Sequence, residues 1–127
     1  MDQRVIAAGL GCRRGVALAA VLALLQRASV CCAEPALLAV PDFKRDEPAL
    51  AAAAAALGLP LRFIDAETLA SVQLWAQSRS AAALRATGFA AIAEAAALAA
   101  LSPGARLILP RITGGGVTCA LAEGMPR

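Results

Sequence analysis

A short apolar run that leads directly into a glycine-rich turn constrains the fold of this chain more than any other feature. Residues 5–15 read Val-Ile-Ala-Ala-Gly-Leu-Gly-Cys-Arg-Arg-Gly, and the apolar, alanine-rich residues 16–27 follow at once. The pattern predicts a buried strand over residues 5–9, a loop with two adjacent arginines, and a helix over residues 16–27. Because such a loop can turn peptide N–H groups toward an anion, the stretch predicts a site for a negatively charged ligand.

Apolar runs and alanine-rich stretches alternate along the rest of the chain. The predicted strands are residues 5–9, 36–40, 61–64, 106–109 and 117–122. The predicted helices are residues 16–27, 49–57, a short segment capped by Asp65 that ends at about residue 72, and 89–101. For the second helix we predict Asp46 as N-cap, Glu47 and Pro48 in the first turn, and Gly58 as the stop. Residues 76–88 are predicted as a mobile loop or a loosely held helix.

This alternation predicts an α/β fold, a three-layer α/β/α sandwich in a single domain over residues 1–127. The sheet is expected to be mixed and mostly parallel, with about five strands. Residues 110–116 are too few to hold a crossover helix, so the last strand is expected to pair antiparallel with the fourth.

Composition excludes several classes of function. The chain has 12 Lys and Arg against 9 Asp and Glu, a net charge of +3, and 3% aromatic residues. This positive charge is too small, and the aromatic content too low, for a nucleic-acid-binding protein. Because the sequence has no histidine, it has neither a Ser-His-Asp nor a Cys-His nucleophile arrangement. A small acidic ligand fits this charge better.

The cysteines do not indicate a metal site. None of the four has a CxxC partner, and we predict neither a metal nor a cofactor; they are Cys12, Cys31, Cys32 and Cys119. We expect all but Cys12 to be small buried hydrophobes of a reducing compartment. Two arginines before an apolar run are also typical of an export signal, but the apolar residues 5–10 stand where such a signal has a polar, basic segment. A cytoplasmic protein without a membrane segment is therefore expected.

Positive charges follow several of the predicted strands. In a parallel sheet, right-handed crossovers bring the loops after the strands to one edge, where ligands bind. The residues that this rule gathers there are Arg13, Arg14, Lys44, Arg45 and, if the fourth strand runs parallel to the first, Arg111. The sequence thus predicts a cationic edge.

Four segments, in this order, resemble the CobE and CbiG C-terminal family of cobalamin biosynthesis. They are Gly-Leu-Gly-Cys-Arg-Arg-Gly at 9–15, Phe-Lys-Arg-Asp-Glu-Pro at 43–48, Ile-Ala-Glu-Ala-Ala-Ala-Leu at 92–98, and Thr-Gly-Gly-Gly-Val-Thr-Cys-Ala-Leu-Ala at 113–122. The resemblance implies a protein that acts on precorrin intermediates during corrin-ring synthesis. One branch of the family, with longer chains, is linked to opening a precorrin lactone. The length of this chain resembles the stand-alone branch, CobE, which has no agreed reaction.

A precorrin is edged with acetate and propionate carboxylates, which arginine pairs in a bidentate manner. The predicted substrate-binding residues are Gly11, Cys12, Arg13, Arg14, Gly15, Lys44, Asp46, Arg111, Gly114, Gly115 and Gly116. In this hypothesis the cationic side chains bind the carboxylates and the glycine N–H groups assist. A carrier role would make other corrin-synthesis enzymes partners as well.

Catalytic residues stay open at the sequence level. Cys12 is a candidate because a thiol near a helix N-terminus and two arginines is expected to have a lowered pKa, although a packed, inert thiol is the simpler interpretation. Asp46 and Glu47 are the candidate general bases if a lactone is hydrolysed. Glu94 is interpreted as fixing a neighbouring loop or facing water rather than as an acid or base.

Several of these features have simpler or different interpretations. The two arginines suit a solvated loop, residues 44–47 suit an exposed helix start, and the three glycines at 114–116 suit a hairpin connection. Glycines at 9, 11 and 15 are also a spacing variant of a dinucleotide loop, with Asp42 as the ribose contact. The two alternative functions are therefore a precorrin-lactone hydrolase and a nucleotide-binding module.

Overall fold

The computed structural model describes residues 3–72 and 92–127. Its strands are β1 (Val5–Cys12), β2 (Leu37–Pro41), β3 (Leu61–Ile64), β4 (Arg106–Gly114) and β5 (Val117–Gly124). Its α-helices are α1 (Leu18–Cys31), α2 (Pro48–Leu57), α3 (Ala66–Val72) and α4 (Ile92–Ala99). A 3₁₀ turn, Asp42–Lys44, follows β2. The segment 76–88, predicted as a loop or a loose helix, lies outside the described residues.

The five strands form one mixed sheet in the order β3-β2-β1-β5-β4. β1, β2 and β3 are parallel, while β5 is antiparallel to both of its neighbours, β1 and β4. β4 therefore runs parallel to β1. The predicted fold class is confirmed, with a sheet that begins parallel and ends antiparallel.

Helices cover both faces of the sheet. Alternate residues of β1, among them Ala8 and Leu10, share a core with α1 and α2. On the other face Ala7 packs in a second core with α3 and α4. With few aromatic residues, the layers approach closely through alanine and leucine, and this close packing maximises dispersion contacts.

Gly9 shows how close the layers are. A β-carbon on Gly9 would lie 1.9 Å from the carbonyl oxygen of Ala93 and 2.5 Å from the backbone nitrogen of Ala97. Both atoms belong to the backbone of α4, so they cannot swing aside. Gly9 therefore lets α4 lie directly on β1. The predicted end of the first strand at Gly9 is wrong, because β1 continues to Cys12.

Two other boundaries also lie further along the chain than predicted. The first helix begins at Leu18 rather than at residue 16, and β4 continues through the residues predicted as a connection, to Gly114. Pro110 is compatible with this strand because β4 is an edge strand and its pairing with β5 is irregular between Leu109 and Ile112.

The helix caps were predicted with mixed success. The N-cap of α2 is Glu47 rather than Asp46, and Pro48 is its first residue, where the missing N–H costs nothing. Gly58 ends α2 with a φ of 67°, as predicted. Asp65 accepts the N–H of Thr68 over 2.7 Å and caps α3, which confirms the predicted short helix.

None of the described helices has the length and apolarity needed to cross a membrane.

Candidate functional site

The carboxyl ends of β1, β2, β3 and β4 meet at one edge of the sheet, because these four strands are mutually parallel. β4 thus has the direction on which the prediction for Arg111 depended, but Arg111 lies inside this strand, three residues before its end. The loop after β1, the 3₁₀ turn after β2 and the β4–β5 hairpin all lie there. We call this the cationic edge and define it by Arg13, Arg14, Lys44 and Arg111.

Arg13 is joined to the β4–β5 hairpin by its backbone and by its side chain. Its peptide N–H donates to the carbonyl oxygen of Gly116 over 2.8 Å. A β-carbon on Gly116 would lie 3.0 Å from Nε of Arg13, so the guanidinium group lies against the turn. The side chain remains exposed and is thus held at the edge while open to a ligand.

Glu47 joins the loop after β1 to the start of α2. Its carboxylate accepts the peptide N–H of Gly15, with distances of 3.1 Å to Oε2 and 3.3 Å to Oε1. The N–H groups of Arg13 and Gly15 therefore already have acceptors within the protein. The loop therefore exposes its two arginine side chains, whereas these two peptide groups are already engaged.

Cys12, the last residue of β1, is half-buried against the core beneath α1 and α2. Burial raises the pKa of this thiol, while the charge of Lys44 lowers it and the charge of Glu47 raises it. The expectation of a lowered pKa is therefore wrong, because loss of hydration outweighs the nearby cation. The simpler interpretation, a packed thiol, agrees with this environment.

Gly11 lies inside β1 and not in the loop. It pairs with Thr118 of β5, and a β-carbon there would lie 2.8 Å from Oγ1 of Thr118 and 3.4 Å from Cγ2 of Ile92. Gly9 and Gly11 are thus strand residues covered by α4, so they do not form the turn of a dinucleotide loop. The fold gives the nucleotide-binding interpretation no phosphate cradle at these two positions.

The three glycines at 114–116 form a tight hairpin. Gly114 pairs with Val117, so Gly115 and Gly116 are the two turn residues, with φ of 62° and 85°. Two successive positive φ values are typical of a type I′ hairpin, which favours glycine. A β-carbon on Gly115 would also lie 2.9 Å from that of Ala20 in α1. Of the three, Gly116 is the one that contacts the cationic edge.

Arg111 is set back from the other members of the edge. Its neighbour Ile112 is level with Cys119 of β5 and Leu10 of β1, so Arg111 lies about 13 Å along the strand direction from Arg13. Its peptide N–H donates to Oε2 of Glu94 over 3.0 Å. Glu94 is fully buried, so the expectation that it faces water is wrong, and the neighbouring segment that it fixes is a strand rather than a loop.

The cations of the edge differ from Arg4, Arg45 and Arg106 in forming no ion pair within the described residues, and they share this property with Arg27, Arg62 and Arg127. Arg4 and Arg106 pair with Glu123 at the opposite edge, and Arg45 pairs with Asp42 and lies 4.1 Å from the centre of the Phe63 ring. Within residues 3–72 and 92–127, the side chains that form no ion pair include all four members of the cationic edge. The positive charge of Arg45, which was predicted at this edge, is thus balanced by Asp42.

The two remaining predicted acidic candidates differ in their surroundings. Asp46 is exposed and makes no hydrogen bond or ion pair in the described part of the chain, whereas Glu47 is held by Gly15. Thr118, whose hydroxyl lies over Gly11, was not singled out from the sequence. Only the pairing of β1 with β5 brings this residue to the edge.

Two cysteines depart from their predicted burial. Cys119 is buried, and burial raises its pKa to about 12, but Cys31 and Cys32 are exposed at the end of α1. Cys32 is tied to the surface by a weak hydrogen bond from Sγ to the carbonyl oxygen of Ile108, over 3.6 Å. No group of three or more acidic, cysteine or histidine side chains suited to a metal occurs in the described ranges.

The fold and the edge define a small α/β protein with a mixed sheet, helices on both faces, and loops that bring several cations without an ion pair in the described residues to one end of the sheet. The chain belongs to the family described as Cobalamin synthesis G C-terminus, whose model matches residues 6–122. It is a cobalamin biosynthesis protein of the CobE and CbiG C-terminal type, and the resemblance read from its four segments is confirmed.

Relatives support the same assignment in sequence and in structure. A protein named CobE from Sinorhizobium is 36% identical over 118 residues, which are 90% of this chain and 77% of that protein. The crystal structure of CobE, a protein from the cobalamin (vitamin B12) biosynthetic pathway, matches with a TM-score of 0.89 and 35% identity, over 99% of this chain and 94% of that one. The cobalamin biosynthesis protein chiG from Agrobacterium tumefaciens matches with a TM-score of 0.75 and 35% identity, over 96% and 98%.

Proposed function

We propose that this chain binds a precorrin intermediate at the cationic edge, as a carrier or accessory factor of corrin-ring synthesis in the cytoplasm. The observation that carries the proposal is the set of unpaired cations Arg13, Arg14 and Lys44 at the carboxyl ends of β1 and β2. A ligand that supplies several carboxylates at once complements such a surface, and arginine pairs with each carboxylate through two parallel hydrogen bonds.

The anchoring of Arg13 favours this function over that of a merely solvated loop. A freely moving side chain loses rotamer entropy when it binds, and that loss weakens binding. Arg13 is already restrained by the hydrogen bond that its peptide N–H donates to the carbonyl oxygen of Gly116 and by the contact of its guanidinium group with the turn. Part of this cost is therefore met during folding.

The environment of the acidic and thiol groups favours binding over hydrolysis. Cys12 has a raised pKa, and the carboxylate of Glu47 is engaged by the N–H of Gly15. Asp46 is exposed to water and makes no hydrogen bond or ion pair in the described residues, so nothing there orients its carboxylate toward a substrate. Opening of a precorrin lactone remains the alternative activity, and the same experiment tests it.

The test is to mix the purified protein with precorrins of increasing methylation, follow the absorption spectrum of the chromophore, and determine the mass of the recovered pigment. A spectral shift that saturates with protein, with the mass of the pigment unchanged, is the expected result. A changed mass, or release of a two-carbon fragment, would assign an enzymatic role instead. A spectrum that no precorrin perturbs would contradict the proposal.

A further inference from the structure

The carboxylate of Glu47 occupies a position where the proposed function calls for a carboxylate of the ligand. Glu47 is the N-cap of α2, yet its side chain makes no hydrogen bond to its own helix. It turns instead to the loop after β1, where both of its oxygens lie within 3.3 Å of the peptide nitrogen of Gly15. The Glu47 side chain therefore does not cap α2, and its carboxylate is engaged by the loop after β1 instead.

The surroundings of this hydrogen bond are cationic. Gly15 directly follows Arg13 and Arg14, and both Lys44 and Glu47 lie close enough to Cys12 for their charges to act on its thiol. The Glu47 carboxylate is thus placed among the same positive charges that the proposed function assigns to the ligand. None of the three cations forms an ion pair in the described residues, so the nearby carboxylate compensates their charge only in part.

We infer that the peptide N–H of Gly15 is a carboxylate subsite of the precorrin-binding edge, that Glu47 occupies it in the free protein, and that a carboxylate of the ligand displaces Glu47 from it. The inference rests on the proposed function and adds an internal competitor to it. One N–H cannot serve two carboxylates without bringing like charges together. A ligand with the same ring but esterified arms has no carboxylate that can replace Glu47 at the N–H of Gly15. Glu47 therefore also selects for ligands with charged arms.

A tether is the other role that this hydrogen bond could have. Glu47 would then hold the loop in place, and its removal would weaken binding by freeing Arg13 and Arg14. Glutamine separates the two roles, because its amide oxygen still accepts the N–H of Gly15 while the competing negative charge is gone. Alanine removes both the acceptor and the charge.

The experiment titrates uroporphyrin, a tetrapyrrole with acetate and propionate arms, and its methyl ester into wild-type protein, Glu47→Gln, Glu47→Ala and Arg13→Glu. Glu34→Gln is the matched control, because it removes the same charge from an exposed residue in front of β2, at the other edge of the sheet. Absorbance or fluorescence of the porphyrin gives the dissociation constant.

Glu47→Gln is expected to bind uroporphyrin about tenfold more tightly than wild type, which corresponds to the lower range for one charge-assisted hydrogen bond. The ester is expected to show no such gain, and Glu34→Gln is expected to bind like wild type. Equal affinity of Glu47→Gln and wild type, or weaker binding by Glu47→Gln, would overturn the inference. If Arg13→Glu still weakens binding in that case, the proposed function stands; if no variant binds uroporphyrin, both are overturned.

Discussion

The peptide N–H of Arg13 donates to the carbonyl oxygen of Gly116 over 2.8 Å. Since Cys12 pairs with Val117, this bond continues the β1–β5 ladder one residue beyond the two strands. The loop that carries the two arginines is therefore an extension of the sheet where it begins. The pairing of β1 with β5 therefore fixes the position of Arg13 at the cationic edge. Changes that disturb β1 are expected to disturb the edge as well.

Gly9→Ala is expected to destabilise the protein by about 3 kcal/mol or more, because its β-carbon would meet the backbone of α4 and overpacking of rigid groups has the highest cost. Gly11→Ala is the matched control, with an expected cost of about 1 kcal/mol, since the nearest atom is the movable hydroxyl of Thr118. Urea unfolding measures both. A cost for Gly9→Ala no larger than that for Gly11→Ala would contradict the close approach of α4 to β1.

Asp65 is expected to make a pH-dependent contribution to stability. Hydrogen bonds from Thr68, chiefly from its peptide N–H, lower the pKa of the Asp65 carboxyl below its ordinary 3.8. Because the folded state holds the proton less tightly, this contribution is present above pH 3.8 and is lost as the pH falls through the lower folded pKa. Asp65→Asn has no such titration. The difference in urea midpoint between wild type and Asp65→Asn is expected to shrink on acidification, and a constant difference would refute this role of the cap.

Thiol reactivity is expected to divide the four cysteines. Cys31 and Cys32 are exposed and react first with iodoacetamide at neutral pH, whereas burial raises the pKa of Cys12 and, to about 12, that of Cys119. Since the thiolate is the nucleophile, the two thiols with raised pKa react slowly. Peptide mass spectrometry over a time course measures the order. Fastest alkylation at Cys12 would mean that its thiol is activated after all.

The sequence predicted the elements that depend on local chemistry. The order of strands and helices, the glycine stop at Gly58 and the cap at Asp65 were all expected, since each follows from hydrophobic pattern or from hydrogen bonds within a few residues. The antiparallel end of the sheet also followed from the shortness of one connection. These features need no knowledge of which elements later pack together.

What the sequence did not predict depends on contacts between distant residues. Glycine in a strand marks a bulge, a bend or the close approach of another backbone, and only the fold shows that Gly9 serves the approach of Ala93, 84 positions further along the chain. The edge shows the same limit, since only the fold reveals that Arg45 is paired with Asp42 and stacked on Phe63 while Arg13 is not paired. The exposure of Cys31 and Cys32 likewise depends on how α1 lies on the sheet.

The most direct test of the account is the affinity for a precorrin of wild-type protein and of a matched pair of arginine variants. Arg13→Gln removes a cation of the edge, and Arg106→Gln makes the same change at the opposite edge, where Arg106 pairs with Glu123. We predict that Arg13→Gln weakens binding at least about tenfold, the loss of one charge-assisted hydrogen bond, and that Arg13→Glu weakens it further. Arg106→Gln is predicted to bind like wild type. Equal precorrin affinity in all four proteins would contradict the cationic edge as the binding site.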